Sequence, residues 1–474
     1  MADLKFEFDL APRRQTQRML DEEAPFRILV VGDFAGAATR APLEQRKALA
    51  IDIDNLDTRF ARIAPKLAFD LAGESIEIDF DSLEDFHPDR LFSRQPFFEP
   101  VRRLQGGLRD LRHRSKTDVQ RTDADSDIER LLGRKPQAAR NAFGPGMQAW
   151  LRELVAPHVV PAPGAEQELL AREADAVAGT MMRALLHLPA FQTLEANWRG
   201  LESLVRTCSD ERVSIHVLDV SEEELVGDVE AAASGLRSTL VEQICGAPEA
   251  GADAAPWSLL VFNGRFDADD ASLQRLAVLG ALAQRAGAPL IAEGAVALLG
   301  ARRSQLAEPA DWVPADSDTL AGWQALRRSA QAAWIGLVLP RVIARLPYGA
   351  ATDAIASFPF EEMATPPDHD DYLWSSPAYA LAQLLVRAFE SDGWQMEPAA
   401  YLDIDDLPSH CFKRDGEVVQ QPCAEVLFGE AAGEAMLGRG LMPLMSYRNR
   451  NAVRLLRWQS IADPPATLHA PWTK

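Results

Sequence analysis

Short apolar runs alternate with amphipathic stretches between residues 213 and 292, and this alternation constrains the fold more than any other feature of the sequence. The runs Val213–Val220, Trp257–Phe262 and Leu290–Ala292 have the length and composition of buried strands. Leu273–Arg285 lies between the last two runs and has the apolar spacing of a helix. Strands that alternate with helices predict an α/β fold, with mixed sheets flanked by helices.

Two helices are predicted to meet at Pro189, within the stretch Met181–Cys208. Proline cannot continue an upstream helix, but it suits the first turn of a new one. After it, apolar residues recur in steps of three and four and form one face that must be buried: Phe191, Leu194, Trp198, Leu201 and Val205. The pairs Glu195–Arg199 and Glu202–Arg206 place an acid four residues before a base, which predicts an exposed opposite face.

The N-terminal residues alternate between apolar and charged side chains. The apolar positions are Leu4, Phe6, Phe8 and Leu10, a period of two that predicts a strand with one apolar face. A lone terminal strand needs an edge to pair with, either in its own domain or in a neighbouring molecule. Both alternatives remain open from the sequence.

Phe26–Val31 reads as a buried strand, and glycines follow it at Gly32 and Gly36. Glycines after a strand can form a phosphate-binding loop, but neither the GxxxxGK[ST] nor the GxGxxG pattern is present. A tight turn is therefore the expected structure.

The whole chain divides into three segments by composition. Residues 1–112 are predicted to form one domain, 113–160 a charged linker with short helices, and 161–474 a second domain. In the first domain we expect strands at Ile51–Ile53 and Ile76–Phe80, and helices at Asp57–Leu67 and Leu91–Leu111. In the second, Ser221 and Glu224 form a capping-box pattern that starts a helix.

The net charge and the cysteine content argue against several classes of protein. The formal net charge of the 474 residues is −21, which argues against a general nucleic-acid coat and against adsorption to anionic lipid. The four cysteines are too few and too widely spaced for a disulfide framework, which fits a reducing compartment. The N-terminus lacks the pattern of a secretory signal, and the most apolar window is too short to span a bilayer.

Three groups of polar residues could suggest catalysis or metal binding. Asp267, Asp269 and Asp270 precede the Leu273 helix, where capping of free backbone N–H groups is the expected role. The run 368–371 is rich in acids, but no partner cluster for a metal is recognisable. His410 and Cys411 are adjacent, so on a strand they would point to opposite faces and could not act together as base and nucleophile. No enzyme, metal or cofactor is expected.

Four arginines lie within ten residues of an acidic chain: Arg448, Arg450, Arg454 and Arg457. Three alternatives account for them. They could form separate intramolecular ion pairs, contact an acidic surface of another protomer, or bind nucleic acid. The net charge opposes nucleic acid, and few aromatic residues are available to stack on bases. We expect the arginines to be contacts between protomers.

Several blocks of the second domain resemble the large subunit of the type VI secretion contractile sheath, the VipB/TssC family. They include FQTLEANWRGLESLV, SIHVLDVSEEEL, RLAVLGALAQRAGAPLIAEGAVALLG and GLMPLMSYRNRNAVRLLRWQSI, in one order over about 300 residues. The blocks PFRILVVGDFAG and IDFDSLEDFHPDRL of the first domain resemble the small subunit, the VipA/TssB family. The chain therefore looks like a natural fusion of the two subunits.

The resemblance implies a contractile tail-sheath-like fold and a structural role in the bacterial cytoplasm. Such subunits polymerise around an inner tube, and a change of packing drives the contraction that exports effectors. The implied partners are other sheath subunits, the inner tube protein, baseplate proteins and a AAA+ unfoldase that recycles the sheath. An alternative is a low-copy accessory subunit that nucleates, caps or anchors the sheath at the baseplate.

Overall fold

The computed structural model describes residues 23–71, 73–117, 165–246 and 255–473. They fall into two compact units. The first contains Met1–Pro65, Thr193–Leu346 and Tyr372–Lys474, and the second contains Lys66–Gln192 and Pro347–Asp371. The predicted N-terminal strand and most of the predicted linker lie outside the described residues. The predicted domain boundaries at residues 112 and 160 therefore remain predictions.

The described strands of the first unit form one large sheet and two small ones. The large sheet is built from β1 (Phe26–Gly32), β2 (Leu49–Ile51), β5 (Val213–Asp219), β6 (Leu259–Phe266), β7 (Leu290–Gly294), β8 (Ile335–Leu339), β11 (Asp403–Ile404), β14 (Leu441–Ser446) and β15 (Val453–Leu455). The small sheets pair β9 (Val342–Ile343) with β10 (Trp374–Ser375), and β12 (Cys411–Arg414) with β13 (Glu417–Gln420).

The order of the large sheet is β11-β15-β14-β8-β7-β6-β1-β5-β2. The six strands from β14 to β5 run parallel, whereas β2, β15 and β11 are antiparallel to their neighbours. The sheet is therefore mixed, as the sequence predicts.

Helices cover both faces of this sheet. The helices of the first unit are α1 (Leu56–Ile63), α5 (Pro189–Thr207, from Thr193 onward), α6 (Glu222–Ala233), α7 (Thr239–Cys245), α8 (Asp270–Ala286), α9 (Ala321–Arg327), α10 (Pro377–Asp392) and α11 (Glu430–Gly438). On one face, Leu29 and Val31 share a core with α6, α7, α8, α9 and α11. On the other face, α10 packs on β6, β7 and β8, and Phe389 stacks on Phe26 with ring centroids 5.0 Å apart. Strand residues alternate between the two faces, so both faces are apolar.

The described part of the second unit contains a hairpin and, besides the first residues of α5, three α-helices. The hairpin pairs β3 (Lys66–Leu71) with β4 (Glu74–Asp79), and the helices are α2 (Pro88–Arg94), α3 (Glu99–Thr117) and α4 (Ala165–Leu186). Its core is aromatic: Phe80 stacks on Phe86 with ring centroids 4.3 Å apart, and Phe92 packs against Phe98 and Phe358.

The Asp89 carboxylate accepts hydrogen bonds from the backbone N–H groups of Ala356 and Ser357. Partial burial alone would raise the pKa of Asp89, but these hydrogen bonds outweigh it and lower the pKa.

The predicted strands and helices that fall within the described residues are present, and the bounds of three of them are corrected. The helix predicted to reach Leu67 ends at Ile63, because Ala64 adopts the left-handed conformation with φ of 52° and β3 begins at Lys66. The strand predicted at Ile51–Ile53 spans Leu49–Ile51. The helix predicted over Leu91–Leu111 is divided at Pro96, where a short 3-10 turn separates α2 from α3.

Candidate functional site

The strand β1 lies in the middle of the large sheet, between two strands that come much later in the sequence. Its seven residues pair with β5 from Phe26↔Val213 to Gly32↔Asp219, and Ile28–Val31 pair with Leu259–Phe262 of β6. All seven residues are buried. The N-terminal segment therefore supplies a central strand that the sheet cannot lose without exposing the edges of β5 and β6.

The turn after β1 is held by Asp219, at the end of β5. Its Oδ1 accepts hydrogen bonds from the backbone N–H groups of Phe34 (2.8 Å) and Ala35 (3.0 Å). The Asp33 Oδ1 accepts from the N–H of Gly36 at 2.7 Å. These N–H groups have protein carboxylates as their partners, which confirms a tight turn at the position where a phosphate loop was considered.

Two arginines connect the same turn to β5 and α6. Arg40 Nε donates to Asp219 Oδ2 at 2.8 Å, and Arg40 also pairs with Asp33. Arg46 pairs with Glu224 in the first turn of α6. Burial raises the pKa of Asp33, and its ion pair with Arg40 opposes that rise. For Glu224, partial burial is outweighed by the N–H of Ser221 and by Arg46, so its pKa is lowered.

The helix α5 contacts this turn through two side chains. The indole Nε1 of Trp198 donates to the carbonyl oxygen of Phe34 at 2.8 Å, and Asn197 Nδ2 donates to that of Asp33 at 2.7 Å. Trp198 is fully buried, with its ring 4.4 Å from that of Phe60. The predicted apolar face of α5 is thus buried, and it also fixes the turn.

Glu195 corrects the prediction for the opposite face of α5. Its carboxylate is fully buried and accepts from Arg345 Nε at 2.8 Å and from Arg199 Nε at 3.0 Å. Burial alone would raise its pKa, but the two arginines hold it below the ordinary value. The spacing of Glu195 and Arg199 predicted an exposed pair. Local spacing could not reveal the second partner, Arg345, because it is 150 residues away in the sequence. The second pair is at the surface as predicted, with Arg206 62% exposed.

The predicted arginine cluster lies at one end of the large sheet, and all four side chains are exposed. Arg454 Nη1 lies 2.8 Å from Asp403 Oδ2, Arg457 Nη2 lies 2.7 Å from Glu434 Oε2, and Arg450 pairs with Asp405. Arg448 forms no ion pair with the part of the chain that the structure describes. Three of the four arginines thus have carboxylate partners in the same chain.

The residues considered for catalysis or metal binding lie at separate places in the structure. Asp269 caps α8, accepting from Ser272 N at 2.9 Å, whereas Asp267 accepts from Ala268 N. The His410 ring lies 2.7 Å from the hydroxyl of Tyr372, and Cys411 is exposed at the start of β12. Within the described ranges, no group of three His, Cys, Asp or Glu side chains could hold a metal ion.

The sequence analysis missed an exposed hairpin, β12–β13. Its two-residue turn is Asp415–Gly416, with φ of 53° and 87°, and Val418 on the second strand is 71% exposed. Positive φ at both central residues is typical of the type I′ turn, for which Asp-Gly is a preferred sequence. The signal was therefore present as the Asp-Gly pair between the runs CFKR and EVVQ, each of which mixes apolar and polar residues.

Residues 169–462 match the family described as VipB: EvpB/VC_A0108, tail sheath N-terminal domain. The chain belongs to this sheath family. Residues 8–141 match a second family, described as type VI secretion system, VipA, VC_A0107 or Hcp2. The protein is therefore a fusion, in which a VipA-like segment precedes a VipB-like segment.

Two proteins of Pseudomonas aeruginosa are similar to this VipB-family chain. The type VI secretion system sheath protein TssC1 is 30% identical over 313 residues, which are 62% of each chain. The type VI secretion system sheath protein TssB1 is 40% identical over 75 residues, which are 14% of this chain and 44% of TssB1. The chain thus spans about three fifths of TssC1 and less than half of TssB1.

The two segments meet inside the first unit. The VipA-like segment contributes β1, β2 and the turn at Asp33, and the VipB-like segment contributes β5, β6 and α5. The hydrogen bonds of β1, Asp219 and Trp198 therefore join the two parts of the fusion. Among the described residues, no helix is both long enough and apolar enough to cross a bilayer.

Proposed function

We propose that this chain is a structural component of a type VI secretion contractile sheath, with both halves of a sheath protomer in one polypeptide. The observation that supports this proposal most strongly is the position of β1. A VipA-like strand is hydrogen-bonded on both sides to VipB-like strands, so the two segments form one sheet. A chain with both segments needs no separate small subunit to complete that sheet.

A helical sheath requires each copy to present two complementary surfaces, because its contacts are head-to-tail. We propose the N-terminal strand with Leu4, Phe6, Phe8 and Leu10 as one contact, donated to a sheet edge of a neighbouring copy.

The second proposed contact is the arginine surface, formed by Arg448, Arg450, Arg454 and Arg457. Its ion pairs lie at the surface, where the two members of each pair are between 38% and 54% exposed. Exposed pairs of this kind contribute only about 0.2–1 kcal/mol each. The arginines can therefore exchange their intramolecular partners for carboxylates of a neighbouring copy at small cost.

The proposed role is structural and not catalytic, and it includes the partners that the sheath resemblance implies. These are other sheath subunits, an inner tube protein, baseplate proteins and a AAA+ unfoldase, in the bacterial cytoplasm. With seventy acidic and 49 basic residues, the chain is disfavoured as a nucleic-acid coat.

The test is negative-stain electron microscopy of the purified chain, alone and mixed with separate small and large sheath subunits, with sedimentation to measure the polymerised fraction. Hollow tubes formed by the chain alone are expected. Soluble monomers that only join or cap tubes of the separate subunits would support the accessory role instead. Monomers that neither polymerise nor associate with sheath subunits would contradict both proposals.

A further inference from the structure

A crevice lies at the carboxyl ends of the central parallel strands of the large sheet. From β1 the parallel strands continue to β5 on one side, and then to β6 on the other side of β1. At such a switch point the strand connections leave in opposite directions, and α/β proteins bind ligands in the space between them. The crevice has a volume of about 450 Å³, which is within the usual range of small-molecule sites.

Two arginines line the crevice without a hydrogen bond to any residue that the structure describes. Arg265, at the end of β6, is half exposed, and its Nε lies 3.8 Å from Oε1 of Glu293. Arg275, on α8, has its Nη1 3.5 Å from Oε1 of Glu222. Contacts of this length are electrostatic, so the N–H groups of both guanidiniums are available to a ligand with oxygen acceptors.

Glu293, at the end of β7, is the most enclosed charged group of the crevice. The residue is 8% exposed, and its carboxylate accepts no hydrogen bond from the described parts of the chain. Its oxygens are not among the fully enclosed polar atoms, so a ligand in the crevice can reach them. Burial raises the pKa of Glu293 to about 7, with a smaller contribution from Glu425, although Arg341 and Arg265 oppose the rise.

The other two acids of the crevice are occupied or exposed. The Asp33 carboxylate accepts from the N–H of Gly36 at 2.7 Å and pairs with Arg40. The Glu222 side chain is 82% exposed, so it can turn away from Arg275 into solvent at small cost.

Arg341, the third arginine of the crevice, is bound to Glu425. Its Nη2 lies 2.7 Å from Oε1 and its Nε 3.2 Å from Oε2 of that carboxylate. The hydrogen-bonding groups left for a ligand are therefore the guanidiniums of Arg265 and Arg275 and the carboxyl group of Glu293. All three are donors once Glu293 is protonated, so the ligand must carry the acceptors.

Apolar side chains form the remaining walls of the crevice. They are Val220, Leu225, Phe262, Phe266 and Trp374. A flat aromatic ring can pack against these walls. A carboxylate on that ring supplies oxygen acceptors with a single negative charge, whereas a doubly charged phosphate would bring a second charge close to Asp33 and Glu222.

We propose that this crevice binds an aromatic monocarboxylate, with its carboxylate hydrogen-bonded to Arg265 and Glu293 and its ring against the apolar walls. Arg265 Nε and Glu293 Oε1 are 3.8 Å apart, so one ligand oxygen can lie within hydrogen-bond distance of both. Glu293 takes part as the protonated acid, and Arg275 adds a second positive charge. The proposal rests on the first unit alone and is independent of assembly into a sheath.

The test is isothermal titration calorimetry of the full chain at pH 6 with three probes of similar shape. They are 2-naphthoate, its neutral amide 2-naphthamide, and the cation 2-naphthylmethylammonium. We expect saturable binding of 2-naphthoate at one site per chain. The amide should bind at least about tenfold more weakly, because a hydrogen bond to a charged acceptor is the stronger one, and the cation should bind more weakly still.

The pH dependence of binding tests the role of Glu293. A carboxyl group with a pKa of about 7 is about 90% protonated at pH 6 and about 10% at pH 8, so 2-naphthoate should bind about tenfold more weakly at pH 8. Glu293→Gln is uncharged at both pH values and should bind 2-naphthoate equally at both, with an affinity close to that of the parent at pH 6. A merely structural effect of this substitution would instead weaken binding at both pH values.

Arg265→Gln tests the guanidinium that contacts the ligand. It should weaken 2-naphthoate binding at least about tenfold at pH 6. The control Arg237→Gln, at an exposed pair with Glu242, should bind like the parent chain.

Four results would overturn the proposal. One is no saturable binding of 2-naphthoate at pH 6, and another is an equal or higher affinity for the amide or for the cation. The third is a 2-naphthoate affinity of the parent that does not fall between pH 6 and pH 8. The fourth is unchanged binding by a folded Arg265→Gln variant, with folding verified by its thermal transition.

Discussion

The indole Nε1 of Trp198 donates a hydrogen bond to the carbonyl oxygen of Phe34 across 2.8 Å, and the rings of the two residues meet edge to face at 5.3 Å. Phe34 belongs to the VipA-like segment and Trp198 to the VipB-like segment. One fully buried side chain thus joins the two parts of the fusion by a polar and an apolar contact.

Substitution of Trp198 should therefore destabilise the protein. Trp198→Phe keeps most of the apolar contact but leaves the Phe34 carbonyl without its donor, at a cost of about 1–3 kcal/mol. Trp198→Ala also leaves a cavity and should cost about 3–5 kcal/mol. Urea unfolding followed by circular dichroism measures both. The half-buried Trp458, which donates to the Pro398 carbonyl, gives the control Trp458→Phe. Equal losses for Trp198→Phe and Trp458→Phe would show that the Phe34 contact is not special.

The pairing of β1 predicts that the chain can be divided and reassembled. Residues 1–117 and 165–474, produced together as two chains, retain every hydrogen bond between β1, β5 and β6. They should copurify as a complex in which affinity capture of either chain recovers the other. Val30→Asp places an unpaired carboxylate in the buried centre of β1 and should abolish this recovery. If the Val30→Asp chain is recovered as well as the parent, β1 is not what joins the two parts.

Charge reversal tests the arginine surface. Arg454→Glu combined with Arg457→Glu should block polymerisation, because it places acids opposite the proposed acidic surface of a neighbouring copy. Thermal stability of the monomer should change little, by about 1 kcal/mol or less for each exposed pair. Sedimentation and calorimetry measure the two effects. Arg237→Glu, at another exposed ion pair, should still polymerise. A large loss of monomer stability would instead show that the arginines act within the chain.

Deletion of Leu4–Leu10 tests the N-terminal strand. If the strand is donated to a neighbouring copy, the truncated chain should remain folded but form shorter polymers or none. Replacement of Phe6 and Phe8 by Ser keeps the length and should have the same effect, because it removes the apolar face. Polymer lengths in electron micrographs give the result. Polymers of normal length from both variants would contradict donation of this strand.

Glu293 should make stability depend on pH. Its folded-state pKa of about 7 lies above the ordinary 4.5, so the protonated form is favoured by folding. This contribution is complete below 4.5 and is lost as pH rises through about 7. Glu293→Gln stays neutral, so its free energy of unfolding should exceed that of the parent by up to about 3 kcal/mol at pH 8 and differ little at pH 4.5. Denaturant unfolding at both pH values measures this, with exposed Glu242→Gln as the control. An equal effect of Glu293→Gln at both pH values would show that its charge is not the cause.

Local patterns predicted much of the secondary structure. The run FRILVV is β1, and Ser221 with Glu224 forms the expected capping box at the start of α6. These patterns are reliable because strand pairing buries apolar runs, and capping depends on residues three apart. The arginine cluster was found as a pattern, but the structure shows three of its members beside acids at Asp403, Asp405 and Glu434.

By itself, the sequence determined the α/β class, the helix face at Trp198 and the resemblance of both segments to sheath subunits. Only the tertiary structure decided that β1 enters the sheet between β5 and β6, that Arg345 buries Glu195, and that Arg275 and Glu293 face one crevice. The physical reason is the separation along the sequence over which each kind of interaction acts. Periodicity and capping act over a few residues, whereas these contacts join residues that are adjacent only after the sheet has formed.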